Sequence, residues 1–106
     1  MTLKTALVKR LEKIPGVSHR PWPDRTDGFS TLHYQGKEIG HFHNFSEVDL
    51  KLGRKLIRRH GLRSPANSTA HPDRSPNSQF MEIHFVSEAD VDRVVTIVEH
   101  LTNELG

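Results

Sequence analysis

Two strand-like segments joined at Gln35-Gly36 constrain the fold of this chain more than any other feature. Residues 29–34 contain Phe, Thr, Leu and Tyr, and residues 37–44 contain Ile and Phe among polar side chains, so both segments are predicted to be strands. Gly36 can supply the positive φ that a tight hairpin turn needs. The sequence therefore predicts an antiparallel β-hairpin at this point.

The length of the turn decides which side chains of the hairpin share a sheet face. Successive side chains of a strand point to opposite faces, so one added residue reverses the grouping. A two-residue or four-residue turn predicts one face with Leu32, Tyr34, Ile39, His41 and His43, and the other with Phe29, Thr31, His33, Glu38, Gly40 and Phe42. A three-residue turn would change these groups.

The rest of the chain predicts three helices and further strands. We expect a helix over 2–14 that Pro15-Gly16 ends, an edge strand at 17–20, a strand at 48–52, a short helix at 54–60 capped by Gly61, a strand at 80–86, and a C-terminal helix at 88–104 capped by Ser87. This order, with hairpin-length links, favours an α+β two-layer domain. Its antiparallel or mixed sheet of about four to five strands would pack against the N- and C-terminal helices and one short helix. Residues 1–106 are expected to form a single domain.

Composition excludes several kinds of site. The chain has no Cys, so it offers no disulfide framework, no thiolate nucleophile and no Cys-ligated metal, and any metal must be held by His, Asp or Glu. Its apolar runs are short and its first residues follow an amphipathic pattern, so we expect a cytoplasmic protein without a membrane partner. A formal net charge of +2 does not by itself indicate a nucleic-acid binder.

His41 and His43 form the densest concentration of chemistry in the sequence. Side chains two residues apart on a strand share a face, so the two imidazoles are expected to converge on one small volume. Such a pair can hold a metal ion, act in acid–base chemistry or bind an anion. The chemistry of the chain is therefore predicted to centre on these two residues.

A metal site at this pair needs a third ligand. The candidates are His71, Asp49 and Glu38, although strand alternation places Glu38 on the opposite face, where it would instead support the site from its edge. Two imidazoles and one carboxylate suit Zn or an open non-haem Fe site. A metal-free alternative stays open, in which an imidazole deprotonates an acidic enol and oxygen reacts with the resulting carbanion.

The connection at 62–79 is long, contains three Pro and shows no periodicity. A loop of this length inside a compact domain is usually functional or disordered. His71, followed by Pro72, Asp73 and Arg74, could fold over the strand site as a lid that excludes water. The alternative is a solvent-exposed loop with incidental charges.

His41 and His43 lie in the first of five characteristic segments that follow one another along the chain. The series comprises Glu38-Ile39-Gly40-His41-x-His43, Asp49-Leu50-Lys51-Leu52, His71-Pro72, Phe80-Met81-Glu82-Ile83 and the Val-rich last helix. Together these segments resemble the luciferase-domain family, over about residues 28–104, with the His-x-His segment as the most specific part. The family includes fungal luciferases, which are oxygenases that add molecular oxygen to a hydroxylated pyrone. The resemblance implies oxygenase chemistry as a candidate activity and implies no particular metal.

The first functional hypothesis is a small oxygenase-like enzyme. In it, His41 and His43 activate an acidic enolic or aromatic small molecule, either directly or through Fe or Zn. His71 closes over this substrate, and Glu38 and Asp49 orient the imidazoles. These five residues are the candidate catalytic set.

Two further hypotheses belong to other functional classes. One is a non-catalytic module that binds a small ligand, a metal or a protein partner through the same surface. The less favoured one is nucleic-acid binding through the basic face 54–63, which lacks aromatic residues for base stacking. An edge strand near Trp22 makes a homodimer a candidate assembly. His84 alternates with Glu82 onto the polar side of its strand and is interpreted as a surface residue.

Overall fold

The computed structural model describes residues 2–63 and 78–106 of the chain. Its elements in chain order are α1 (Leu3–Leu11), β1 (Val17–Pro21), β2 (Ser30–Tyr34), β3 (Lys37–Phe42), β4 (Glu47–Lys51), α2 (Arg54–Arg59), β5 (Phe80–His84) and α3 (Glu88–Leu105). The predicted α+β arrangement is therefore confirmed.

The five strands form one antiparallel sheet in the order in which they occur along the chain. β1 and β5 are the edge strands, and Pro21 in β1 suits an edge because proline has no N–H to donate to a neighbouring strand. β2 and β3 are joined at the predicted position by a two-residue turn, in which Gln35 has φ 50° and Gly36 has φ 83°. Two consecutive positive φ angles match the hairpin turn whose twist fits that of the strands.

The helices bury their apolar stripes against one face of the sheet. The shared core comprises Leu7 and Leu11 of α1, Leu56 and Ile57 of α2, the Val-rich stripe of α3, and alternate residues of the strands such as Phe42, Val48 and Ile83. Ser87 caps α3 as predicted, because its hydroxyl accepts a hydrogen bond from the Asp90 amide. No helix among the described residues is long and apolar enough to cross a membrane.

A β-bulge interrupts the pairing of β2 and β3. His33 pairs with Glu38, but the preceding residue, Leu32, pairs with Gly40. Ile39 is therefore an extra residue on β3 with no counterpart on β2. A bulge of this kind reverses the direction of every later side chain on its strand.

The bulge corrects the predicted grouping of side chains. Ile39 and Phe42 are both buried in the core although they lie three residues apart, which regular alternation does not allow. His41 and His43 consequently lie on the face opposite Ile39, and the prediction that they share its face is wrong. Glu38 precedes the bulge, so it lies on the same face as His41 rather than on the opposite one.

Candidate metal centre

The sheet face opposite the core carries three buried carboxylates. Glu47, Asp49 and Glu82 are 8%, 1% and 3% exposed. Asp49 pairs with Glu82 across β4 and β5, and with His41 across β3 and β4. Carboxylates are almost never fully buried unless a partner or a metal compensates their charge. The register of three neighbouring strands thus gathers these acids and the histidines into one polar layer.

His41, His43 and Asp49 form the first triad. The two imidazole rings are in edge-to-face contact with their centroids 4.7 Å apart. Nε2 of His41 lies 3.7 Å from Oδ2 of Asp49, and Nε2 of His43 lies 3.8 Å from the same oxygen. One potential ligand atom from each of the three residues lies within 4.8 Å of the others.

The spacing of the first triad is close to that of a metal site. Bonds of about 2.1 Å hold neighbouring ligand atoms about 3.0 to 3.4 Å apart in octahedral or tetrahedral geometry. The two imidazole–carboxylate distances, 3.7 and 3.8 Å, exceed the tetrahedral value by only a few tenths of an ångström. Two imidazoles and one carboxylate are the ligand set of open non-haem iron sites, and they also suit zinc.

Glu38 approaches the other nitrogen of His41. Its Oε2 atom lies 3.6 Å from Nδ1, and its side chain is 49% exposed. A carboxylate beside Nδ1 favours a proton on that nitrogen, which leaves Nε2 free to bind a metal. The predicted orienting role of Glu38 thus has a geometric basis, because the bulge brings the two residues to one face.

Glu47, Glu82 and His84 form a second triad that the sequence analysis did not identify. Nε2 of His84 lies 2.9 Å from Oε2 of Glu82 and 3.0 Å from Oε2 of Glu47. The interpretation of His84 as a surface residue is wrong, because the ring is half-buried between these carboxylates. Cross-strand pairing of Glu47 with His84 is the signal that would have revealed the triad, and it depends on the register.

The turn between β3 and β4 fixes the position of Glu47. Asn44 donates a hydrogen bond from Nδ2 to Oε1 of Glu47 and accepts one at Oδ1 from the amide of Ser46, at 2.8 Å. The amide of His43 donates to the backbone carbonyl of Glu47 at 3.0 Å. Both triads are therefore tied to the same short turn.

Phe29 and Trp22 form an aromatic wall beside the first triad. Phe29 and His41 have ring centroids 5.7 Å apart, and Trp22 meets Phe29 at 5.7 Å in an edge-to-face contact. Trp22 also donates from Nε1 to Oγ1 of Thr31 at 3.3 Å. The Arg25 guanidinium lies 4.5 Å from the Phe29 ring centroid. An apolar surface with the Arg25–Asp27 ion pair at its edge thus borders the metal-ligand candidates.

Gly40 allows β3 to approach β4 closely. A Cβ atom at this position would lie 2.5 Å from the backbone carbonyl oxygen of Asp49 and 2.8 Å from Cδ2 of Leu50. Only glycine avoids this collision, so the strand separation that sets the His41–Asp49 distance depends on the missing side chain.

The remaining predicted residues belong to the 62–79 connection and to the basic run 54–63. His71 and most of the predicted lid lie outside the described residues. In the basic run, Arg54 donates to the Ser78 carbonyl at 3.1 Å, and Lys55 lies 3.7 Å from Glu104, so both side chains contact the chain itself. A groove of about 480 Å³ lies between the β2–β3 turn and the end of α3. Glu38 lines this groove, but no residue of the two triads does.

A comparison with protein-family models identifies the family to which this sheet and its two triads belong. The family model described as the luciferase domain matches residues 36–100, which is more than half of the 106 residues. Searches of curated proteins and of solved structures give no match. Both triads and all of β3, β4 and β5 lie within the matched range. The chain therefore belongs to the luciferase-domain family.

Proposed function

We propose that the protein is an oxygenase-like enzyme that acts on an acidic enolic or aromatic small molecule, with His41, His43 and Asp49 as ligands of a divalent metal. The observation that carries the proposal is the convergence of the three side chains, whose donor atoms lie within 4.8 Å of one another. Membership of the luciferase-domain family supports oxygen chemistry, since the fungal luciferases that this chain resembles add molecular oxygen to a pyrone.

The proposed reaction needs no external reductant. The substrate loses an acidic C–H proton, and the carbanion gives its electron pair to dioxygen as a C–O bond forms. The proton then goes to the terminal oxygen, so the product is a hydroperoxide that contains every atom of both reactants. His41, His43 and Asp49 would hold the divalent metal, which would act as a Lewis acid and stabilise the negative charge that develops on the substrate.

The aromatic wall supports the proposed substrate class. Phe29 is half-buried and Trp22 is 46% exposed, so their rings offer an apolar surface next to His41. An aromatic or conjugated ring can stack against such a surface. The guanidinium of Arg25 lies 4.5 Å from the Phe29 ring but is paired with the Asp27 carboxylate, so this edge of the surface carries little net charge.

Oxygen consumption tests this proposal. Protein stripped with a chelator is loaded with Fe(II) without oxygen, mixed with 4-hydroxy-2-pyrones, and followed with an oxygen electrode; ¹⁸O₂ then identifies oxygen in the product. We expect turnover with the wild type and none above free Fe(II) with His41→Ala. His100→Ala is the matched control, because His100 bonds to His60 outside the site and its loss should leave the rate unchanged.

Two results would contradict the proposal. Equal oxygen uptake by the wild type and His41→Ala would show that oxygen uptake does not depend on the first triad. Equal oxygen uptake by chelator-treated and iron-loaded protein would show that the reaction needs no metal. The imidazoles would then act as bases.

A further inference from the structure

We infer that the protein binds a second divalent cation at Glu47, Glu82 and His84, and that Glu82 bridges the two ions. The inference rests on the proposed function for the ion in the first triad, and it extends the centre from one metal to two. Three observations support it independently of any activity: the environment of Glu47, the position of Glu82, and the charge of the buried layer.

Glu47 is a buried carboxylate with one unsatisfied oxygen. The residue is 8% exposed, and its Oε1 atom accepts a hydrogen bond from Asn44. Its Oε2 atom has no hydrogen bond in the described part of the chain, although Nε2 of His84 is 3.0 Å away. The single proton on that nitrogen is directed to Glu82 at 2.9 Å. With the N–H directed to Glu82, Oε2 of Glu47 is left without a hydrogen bond from the described residues, and a buried acceptor without a partner is costly.

A cation among these three side chains would satisfy both acids at once. Nε2 of His84 already lies 2.9 and 3.0 Å from the two carboxylate oxygens. Ligand atoms at adjacent corners of an octahedron with bonds of about 2.1 Å are about 3.0 Å apart. His84 would give up its Nε2 proton and bind through the lone pair.

Glu82 spans the two triads. Its Oε1 atom lies 3.8 Å from Nε2 of His43, and its Oε2 atom lies 2.9 Å from Nε2 of His84. Each oxygen therefore faces a different group of ligands. Paired metal ions in catalytic centres are about 3.5 to 4 Å apart, a separation that one carboxylate can bridge.

The charge of the layer points in the same direction. Glu47, Asp49 and Glu82 carry three formal negative charges in a layer where each residue is more than nine-tenths buried. Imidazoles that act as metal ligands are neutral and do not offset these charges. One divalent cation leaves one net negative charge among these groups, and two leave one net positive charge, which an anionic substrate or a hydroxide ion would balance. Desolvated carboxylates without compensating charge destabilise the fold.

The ligand atoms indicate the kind of ion. Two carboxylates and one imidazole make the second triad richer in oxygen than the first, and oxygen-rich sites favour Mn²⁺ or Fe²⁺ over softer ions. Mn²⁺ is the useful probe because it binds both kinds of triad and is paramagnetic. Two Mn²⁺ ions bridged by one carboxylate interact magnetically, which a single ion cannot do.

The experiment counts Mn²⁺ ions bound to the full chain. Chelator-treated protein is titrated with Mn²⁺ alone by calorimetry, and the loaded protein is examined by electron paramagnetic resonance. We expect two ions per chain and a spin-coupled signal in the wild type, and one ion with an uncoupled signal in Glu47→Gln. Gln keeps the oxygen that Asn44 contacts, and Glu99→Gln, on the exposed side of α3, is the control that should bind two ions.

His84→Gln is a second variant that should also bind a single ion, in case Glu47→Gln does not fold. If the wild type binds one ion, and only His41→Ala loses it, the second site is excluded and the first stands. If it binds one ion that Glu47→Gln loses and His41→Ala keeps, the second site stands and the proposed function loses its metal. If both Glu47→Gln and His84→Gln bind two coupled ions, the inference is overturned.

Discussion

His41 and Asp49 face each other across β3 and β4, with Nε2 of the ring 3.7 Å from Oδ2 of a carboxylate that is 1% exposed. Because the two residues are direct cross-strand neighbours, backbone pairing sets their separation. A site on paired strands is held more precisely than one on loops, and a donor pair arranged in this way loses little conformational freedom when it binds a metal.

Asp49→Asn is expected to weaken metal binding. An amide oxygen has nearly the same shape as a carboxylate oxygen but no charge, so it is a poorer ligand. We expect the affinity for Zn²⁺ to fall by about 100-fold or more, measured by competition with a chromophoric chelator. Asp27→Asn is the control, since Asp27 is exposed and pairs with Arg25. Unchanged affinity in Asp49→Asn would remove this residue from the ligand set.

Gly40→Ala is expected to destabilise the sheet at the site. The new Cβ atom would lie 2.5 Å from the Asp49 carbonyl oxygen, so β3 and β4 must move apart. We expect the free energy of unfolding in urea to fall by about 1 to 3 kcal/mol. Ser18→Ala, at an exposed position of β1, should change it by less than about 0.5 kcal/mol. Equal stability of the two variants would show that the strands accommodate the methyl group.

His19 is expected to make the fold less stable in acid. Burial lowers the pKa of His19, and the charge of Lys4 lowers it further. The unfolded chain therefore binds the proton more readily than the folded one, so protonation favours unfolding. The stability that neutral His19 contributes is present above about pH 6.5 and is lost as the pH falls from there toward the lower folded-state pKa.

His19→Gln tests this dependence. Gln can still donate to Oγ of Ser30, which His19 contacts at 2.8 Å, but it does not titrate. Urea unfolding of both proteins between about pH 7 and 5, with a chelator present, should show a flatter decline for the variant. Parallel declines would assign the acid sensitivity to other groups.

Ser87→Ala is expected to weaken the start of α3. The hydroxyl accepts a hydrogen bond from the Asp90 amide at 3.2 Å, and Ala cannot replace this acceptor. We expect a loss of about 1 kcal/mol in the free energy of unfolding. Thr96→Ala, on the exposed side of the same helix, should cause no loss, because Ala is the better helix former. The difference in the free energy of unfolding between the two variants gives the contribution of the cap.

Trp22 is expected to report metal binding through its fluorescence. It is the only Trp in the chain, and it reaches the first triad through Phe29, with 5.7 Å between the centroids at each step to His41. Co²⁺ absorbs visible light and should quench the Trp22 emission of the wild type. His41→Ala should remain unquenched at the same Co²⁺ concentration, and equal quenching would place the ion elsewhere.

The order of helices and strands could be predicted because it depends on local signals. Gln35-Gly36 marks a turn, Ser87 marks a helix start, and the Val-rich stripe marks a buried helix face. The bulge also left a signal, since Ile39 and Phe42 are apolar and three residues apart. That spacing is incompatible with alternation, but it indicates a bulge only when both residues are known to be buried.

The second triad could not be predicted for a different reason. Glu82 and His84 alternate with Ile83 and Phe85, which is also the pattern of a strand with one face in water. Burial of the polar face depends on the rest of the fold, and the proximity of Glu47 to His84 depends on the register of β4 and β5. Neither is encoded within a single segment.

The extra residue in β3 adds a buried side chain to the core without displacing the imidazoles. A chain that lacked Ile39 would pair Gly40 with Leu32 directly after Glu38 with His33, and regular alternation would keep both imidazoles on the polar face and Phe42 in the core. That deletion would remove one apolar side chain from the core. The length of this segment can therefore change by one residue without a change in which face carries the metal-ligand candidates.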